Sequence, residues 1–223
     1  MRLRLLLSAL TKYLVGVVMV GALVMLPAGS VGYWQGWLFM AVLFIPIFVA
    51  GVVMLVRSPE LLEKRLSAKE RASEQSLVVK FSGLLFIAVF VIAGFNWRYG
   101  WCMLPDWVVW SAVVLFLAGY MLYAEVLREN VYLSRTIEVQ AGQKVIDTGL
   151  YAVVRHPMYT ATILLFLAMP LVLSSPLSFA LMLLYIPLII KRIKHEEALL
   201  KRELEGYSDY MRRVKYRLIP YIY

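Results

Sequence analysis

The chain has 223 residues, of which 62% are hydrophobic and 17% charged, with a formal net charge of +9. Its mean hydropathy is +0.76, and its apolar share lies well above the roughly 45–50% of soluble domains, which excludes a chain that folds wholly in water. The positive charge alone would suit a nucleic-acid partner, but its distribution along the chain gives it another origin.

Six apolar segments are read in chain order, at residues 13–26, 34–56, 77–95, 107–127, 159–173 and 177–190. A bilayer-crossing helix needs about 20 residues, or somewhat fewer with help from its flanks. The second, third and fourth segments meet that length. The last two are short and separated only by Ser174, Ser175 and Pro176, which predicts a tight hairpin or a pair of tilted helices. Pro46, Pro170 and Pro187 sit inside spans, where prolines kink helices and are tolerated when neighbours satisfy the freed carbonyl. The opening Met1-Arg2-Leu3-Arg4 and the apolar run after it resemble a secretory signal. The run lacks a convincing small-residue cleavage site, although Ala28-Gly29-Ser30 comes close, so a retained first helix is expected.

Lys and Arg fix the expected orientation, because they concentrate in cytoplasmic segments. Of the 23 Lys and Arg residues only Arg98 falls in the first, third or fifth connection. The other 22 lie in the N-terminal arm, the second connection with the first residues of the segment after it (Lys80), the fourth connection and the C-terminal tail. These parts are expected to face the cytoplasm, with both termini on that side of a multi-pass membrane protein, in the plasma or inner membrane if the source is prokaryotic. Topology and anionic lipid then account for the charge without nucleic acid. The single cysteine, Cys102, falls on the opposite side, where there is no histidine to activate it. With no Cys/His pairs at ligand spacing, no metal is expected.

Among the cytoplasmic segments, residues 58–75 read as an amphipathic helix, with Ser58 as its cap, Pro59 in its first turn and Leu61, Leu62 and Leu66 on one stripe. A helix lying on the membrane surface is the plainer reading and a lid over a site the sharper one. The fourth connection is long and not low-complexity. Alternation over residues 133–140 predicts a short extended segment, followed by a turn at Ala141 and Gly142. A structured connection of this length is usually functional. The tail continues the last helix until Gly206, and its later tyrosines, Tyr207, Tyr210, Tyr216, Tyr221 and Tyr223, alternate with basic residues in the manner of an interfacial anchor.

The chemistry-bearing residues form two clusters. Residues 149–159 read Gly-Leu-Tyr-Ala-Val-Val-Arg-His-Pro-Met-Tyr, and residues 192–197 read Arg-Ile-Lys-His-Glu-Glu. Ionisable groups at the mouth of a membrane helix are costly and mark functional sites. If the last two spans form a hairpin, Arg155, His156, Tyr159, Arg192, Glu196 and Glu197 converge. Each has a plainer reading. His156-Pro157 suits a helix start, Arg192 and Glu196 are spaced for a surface ion pair, and Glu197 can simply face water.

Residues 145–159, together with 192–197, 207–214 and Arg217-Leu218-Ile219-Pro220, resemble the isoprenylcysteine carboxyl methyltransferase family and its prokaryotic relatives, over roughly residues 130–220. The resemblance implies an all-α integral membrane protein of about six transmembrane helices. Its cofactor pocket would be cytoplasmic, built from the long fourth connection and the C-terminal helix. Residues 1–128 would form a four-helix membrane region and residues 129–223 the catalytic region. The resemblance further implies S-adenosylmethionine as cofactor, held by Glu138, Gln143, Lys144, Val145, Ile146, Tyr151, His156, Pro157, Met158, Tyr159, Glu196 and Glu197. It places Arg192 on the substrate side, with Arg192 and Glu196 as the catalytic pair. The expected acceptor is a lipophilic or small molecule with a carboxylate, amine or thiol. Methyl transfer from a sulfonium is an in-line displacement that needs positioning rather than a covalent enzyme intermediate.

Two other readings stand beside it. A steroid-reductase type of NADPH-dependent membrane enzyme resembles the chain through its Arg-His-Pro-x-Tyr element, but there the x is typically Asn, with a Gly-Glu pair following. This chain has Met158 at x and no acid in Thr160-Ala161-Thr162. A small transporter is disfavoured because the spans hold almost no buried charge and no inverted repeat is visible.

Overall fold

A computed structural model describes residues 2–67, 73–133 and 139–223, and over these it is helical with no strand. The helices are α1 (Arg2–Ala28), α2 (Trp34–Arg57), α3 (Pro59–Ser67), α4 (Ser73–Tyr99), α5 (Asp106–Glu129), α6 (Pro157–Val172), α7 (Pro176–Met182), α8 (Tyr185–Glu203) and α9 (Tyr207–Arg213), with one 3-10 turn at Gly149–Ala152. By length and composition α1, α2, α4, α5 and the α7–α8 pair suffice to cross a bilayer, and α6 is a shorter apolar helix of 16 residues. All six expected apolar segments are therefore helical, in an all-α membrane architecture. α1 begins upstream of the expected run at residue 13, because Leu5, Leu6, Leu7 and Leu10 carry the same helix outward.

One apolar core runs through the bundle. Val24 of α1, Phe39 of α2, Val89 of α4, Phe116 of α5, Leu165 of α6, Met182 of α7 and Ile189 of α8 all belong to it. The outward faces stay apolar, with Val18, Val114 and Met121 each about two-thirds exposed. In water such faces would cost roughly 25 cal/mol per Å2, and hydrocarbon removes that cost. α5 and α6 cross closely at Gly119, where any Cβ would come within 2.8 Å of Leu165 Cγ.

The prolines act as their chemistry requires. Pro46 lies inside a continuous α2, where it removes the donor to the Val42 carbonyl, and the next two carbonyls accept hydroxyls from neighbouring helices. Tyr120 donates to Leu43 O at 2.8 Å and Tyr13 to Phe44 O at 3.3 Å. Pro187 has no N–H and its ring crowds the carbonyl four residues back, which is Leu183. The helix breaks there into α7 and α8, and Leu183 O accepts instead from Ile186 N at 3.1 Å. The last hairpin therefore has a short returning limb and a long one.

The hairpin tip, at the end of the bundle opposite the polar clusters, is pinned by buried hydrogen bonds. Tyr33 Oη donates to Leu173 O at 2.6 Å, and Asn96 Nδ2 to Cys102 O at 2.7 Å and Ser174 O at 3.3 Å. Ser175 caps α7 by accepting from Ser178 N, and Ser178 Oγ donates to Val89 O of α4 at 2.9 Å.

At the other end, α3 packs on α1 and α2 with Leu62 buried, and Lys12 Nζ donates to Leu66 O at 2.6 Å. The helix expected over 58–75 is thus α3 followed by the start of α4, with residues 68–72 outside the described residues. Most of the extended segment expected at 133–140 lies outside them too. The turn at Ala141 and Gly142 is present, closed by Gln143 N donating to Gln140 O at 3.0 Å.

Candidate active site

Where α5 ends and α6 begins, a cavity opens between the long fourth connection, α8 and α9. Its first wall is the chain after the 141–142 turn, with Gln143, Lys144, Val145 and Ile146 all lining it. This run leaves the turn because Gln143 Oε1 folds back to accept from Gln140 N at 2.9 Å, and Gln140 Nε2 donates to Tyr132 O at 2.7 Å.

The Gly-x-Tyr element has a structural cause. Gly149 has φ +48°, and a Cβ there would collide with the carboxylate of Glu129. That carboxylate accepts from Leu150 N at 3.0 Å and from Thr148 Oγ1 at 3.3 Å, so the 3-10 turn is docked on the end of α5. The turn delivers Tyr151 to the cavity wall. The Tyr151 hydroxyl accepts from Asn130 Nδ2 at 2.9 Å, and its carbonyl accepts from Tyr210 Oη at 2.7 Å. Burial pushes the Tyr151 phenol up to about 12, so it is a neutral hydrogen-bonding group at any physiological pH.

Pro157 opens α6 at its first turn, as expected, and is buried without lining the cavity. His156 stands at the cap position but its side chain makes no cap. Instead Nε2 lies 3.2 Å from Glu197 Oε1. Met158 and Tyr159 complete this wall. Tyr159 joins the two sequence clusters, donating from its hydroxyl to Glu196 Oε2 at 2.6 Å and accepting from Arg192 Nε at 3.0 Å. Arg192 and Glu196, one turn apart on α8, are therefore bridged through a buried tyrosine of α6, which replaces the reading of a plain surface pair.

Glu197 does not line the cavity and does not face water. It is 4% exposed and forms the centre of a clamp behind the wall. Its carboxylate accepts from Arg155 Nε at 2.8 Å and Arg217 Nε at 2.9 Å, and lies beside His156. Arg155 Nη1 also donates to the carbonyls of Val214 and Lys215, each at 2.7 Å. The backbone of the tail runs along the start of α6, with Arg155 N on Tyr216 O and His156 N on Arg217 O, both at 2.9 Å. The clamp thus sews the tail to the hairpin and orients His156 as it does so.

Of the residues expected to hold a cofactor, Gln143, Lys144, Val145, Ile146, Tyr151, His156, Met158, Tyr159 and Glu196 line one cavity, together with Arg192. Glu138 lies outside the described residues. His195 is exposed and does not line the cavity. Sequence reasoning missed Asn130 and Tyr132 just after α5, Leu200 on α8 and Leu204 at its C-terminal cap, and Tyr207 and Tyr210 on α9. For the leucines the signal was present, since they continue the face of Glu196 at four-residue steps. Tyr207 and Tyr210, expected as interfacial anchors, are buried at 4% and 2% exposure in a small second core with Leu204 and Val214. Tyr221, at 88% exposure, is the one that stays outside.

The arrangement offers a carboxylate, Glu196, beside a wall of Val145, Ile146, Leu200 and Leu204. The second acid, Glu197, is already neutralised by two guanidinium groups. Lys144 and Arg192 line the same cavity, so it presents groups of both signs beside an apolar wall. Among the described residues no group of His, Cys, Asp or Glu is placed to hold a metal ion.

Residues 110–202 match the model of the isoprenylcysteine carboxyl methyltransferase family. That region carries α6, the hairpin and most of the cavity. The match supports an integral-membrane enzyme of the methyltransferase kind. The chain is also similar to two curated proteins. It is 32% identical over 91 residues to Delta(14)-sterol reductase of Mus musculus, covering 40% of this chain and 22% of that protein. It is 24% identical over 135 residues to Delta(14)-sterol reductase of Methylotuvimicrobium alcaliphilum, covering 54% of this chain and 32% of that protein. The matched stretches are thus about a fifth and a third of the relatives' own lengths.

Proposed function

We propose that this chain, which matches the isoprenylcysteine carboxyl methyltransferase family model over residues 110–202, transfers a methyl group from S-adenosylmethionine to a lipophilic or small acceptor. The observation that carries this reading is the Glu196 carboxylate in the cavity wall, fixed by Tyr159 at 2.6 Å. The residues present fit such a donor. Glu196 matches its ammonium group or ribose hydroxyls, and the apolar wall from Val145 to Leu204 matches its base. Charges held 4 Å apart near a protein surface attract by roughly 4 kcal/mol at an effective dielectric of about 20, so Glu196 can hold an ammonium group at its edge of the cavity.

When bound, S-adenosylmethionine supplies an electrophilic methyl on a sulfonium sulfur. The protein's own task is positioning. Glu196 and Tyr159 hold the cationic ligand, and His156, oriented by Glu197, presents a fixed imidazole edge to the same cavity. Arg192, on the other side of the Tyr159 hydroxyl, is placed to orient an acidic or polar acceptor. A neutral Tyr151 closes the wall without adding charge. In the orientation set by Lys and Arg, the cavity opens to the cytosol, where a water-soluble donor is available, and an apolar acceptor reaches it from the bilayer between helices.

The sterol reductases among the similar proteins support a second reading, hydride transfer from NADPH. Glu196 gives a cationic donor a partner in the wall and Arg155 is committed to Glu197 and two tail carbonyls, while Lys144 and Arg192 also line the cavity and match the phosphates of NADPH, so direct measurement separates the two readings. Incubating the purified protein with methyl-labelled S-adenosylmethionine and a membrane lipid extract is expected to label an apolar product. Reduction of a lipid by labelled NADPH, with no methyl incorporation, would sink the proposal.

A further inference from the structure

Tyr207 is 4% exposed and lines the cavity, yet among the described residues its hydroxyl has no hydrogen-bond partner. A buried polar atom without a partner costs about 1–3 kcal/mol, so each such atom calls for an explanation. The tyrosine is held firmly in place. Gly206, at φ +79°, turns the chain into α9. The Tyr207 ring packs against Tyr210 with centroids 5.7 Å apart, and it belongs to the small core with Leu204, Val145 and Leu200.

Its surroundings show which part of a ligand it would meet. The Tyr207 ring shares its small core with Leu204, Val145 and Leu200, part of the apolar wall suited to a base. Burial first, and then the charges of Glu197 and Glu196, push its hydroxyl well above the ordinary phenol range, so it is a neutral donor and acceptor. In a nucleoside-containing ligand the group that joins an apolar base to a charged end, and carries hydroxyls of its own, is the sugar.

We infer that the Tyr207 hydroxyl is a ligand-binding group that hydrogen-bonds the nucleoside half of the bound methyl donor. The inference rests on the S-adenosylmethionine reading above. It makes Tyr207 a specificity residue that neither sequence cluster contains.

The test is Tyr207→Phe, which keeps the ring and removes only the oxygen. Calorimetry in detergent would use S-adenosylhomocysteine and, separately, adenosine, which lacks the amino-acid half. The ligand-free melting temperature would be recorded alongside. The expected result is an affinity about tenfold lower for both probes, as for loss of one hydrogen bond of about 1.4 kcal/mol. The ligand-free protein should melt no lower than the parent, because an unpaired buried hydroxyl has been removed. A lower melting temperature with unchanged affinities would make Tyr207 structural and overturn the inference. Weakened S-adenosylhomocysteine with unchanged adenosine would overturn the assignment to the nucleoside half. If the parent protein binds neither probe, the donor reading itself fails, and this inference falls with it.

Discussion

Glu196 and Glu197 are adjacent in sequence and opposite in consequence. The helix turns them to different faces of α8, one into the cavity and one onto Arg155 and Arg217. Glu196→Gln is expected to leave folding nearly unchanged and to weaken S-adenosylmethionine binding at least tenfold, measured by calorimetry. Glu197→Gln should do the reverse first. Breaking a buried pair leaves uncompensated charge and costs on the order of 3–5 kcal/mol, so the melting temperature should fall by many degrees, with binding lost only as the clamp loosens. Arg192→Ala should abolish transfer while donor binding survives; joint loss of both would move Arg192 to the donor site. The sequence identified Arg192, Glu196, Tyr159 and His156 as a group, but not which acid faced inward. That choice depends on the tail carbonyls of Val214 and Lys215, which no local pattern announces.

At the scale of elements, the hairpin and the tail are one construction. The α6 start is bonded to the backbone of residues 216–217, and Thr160 Oγ1 donates to Leu218 O at 2.8 Å. Arg155→Met keeps an unbranched apolar stem but removes the guanidinium and its donors to Glu197 and the tail. Limited trypsin digestion in detergent is expected to cut this variant after Lys215 or Arg217 much faster than the parent. Equal digestion rates would mean that the tail is held by its apolar contacts, Val214 and Leu218, instead. Helices were the most legible elements, because twenty-residue apolar runs have few alternatives in a bilayer. The division of α7 from α8 was foreshadowed by Pro187. Burial of Tyr207 and Tyr210 was not, because the aromatic–basic alternation is shared by interfacial anchors and by a small helix folded back against a loop. The Gly149 motif was visible as a signature, while its physical cause, the Glu129 carboxylate pressed against it, lay twenty residues upstream.

For the whole molecule, the distribution of Lys and Arg predicts the side on which each end of the bundle lies. Cys102 provides a direct test, being the single cysteine of the chain and exposed, at the end opposite the cavity. A membrane-impermeant maleimide should label it in intact cells from outside. Labelling only after permeabilisation would invert the topology and put the cavity on the wrong side for a cytosolic donor. The chain is similar both to a methyltransferase family model and to sterol reductases, and the two readings differ in the ligand that the cavity takes. The measurement that bears most directly on the account is therefore calorimetric titration of the purified protein with S-adenosylmethionine and with NADPH under the same conditions. Saturable binding of S-adenosylmethionine, weakened by Glu196→Gln, with no binding of NADPH, is the predicted result; binding of NADPH alone would contradict it.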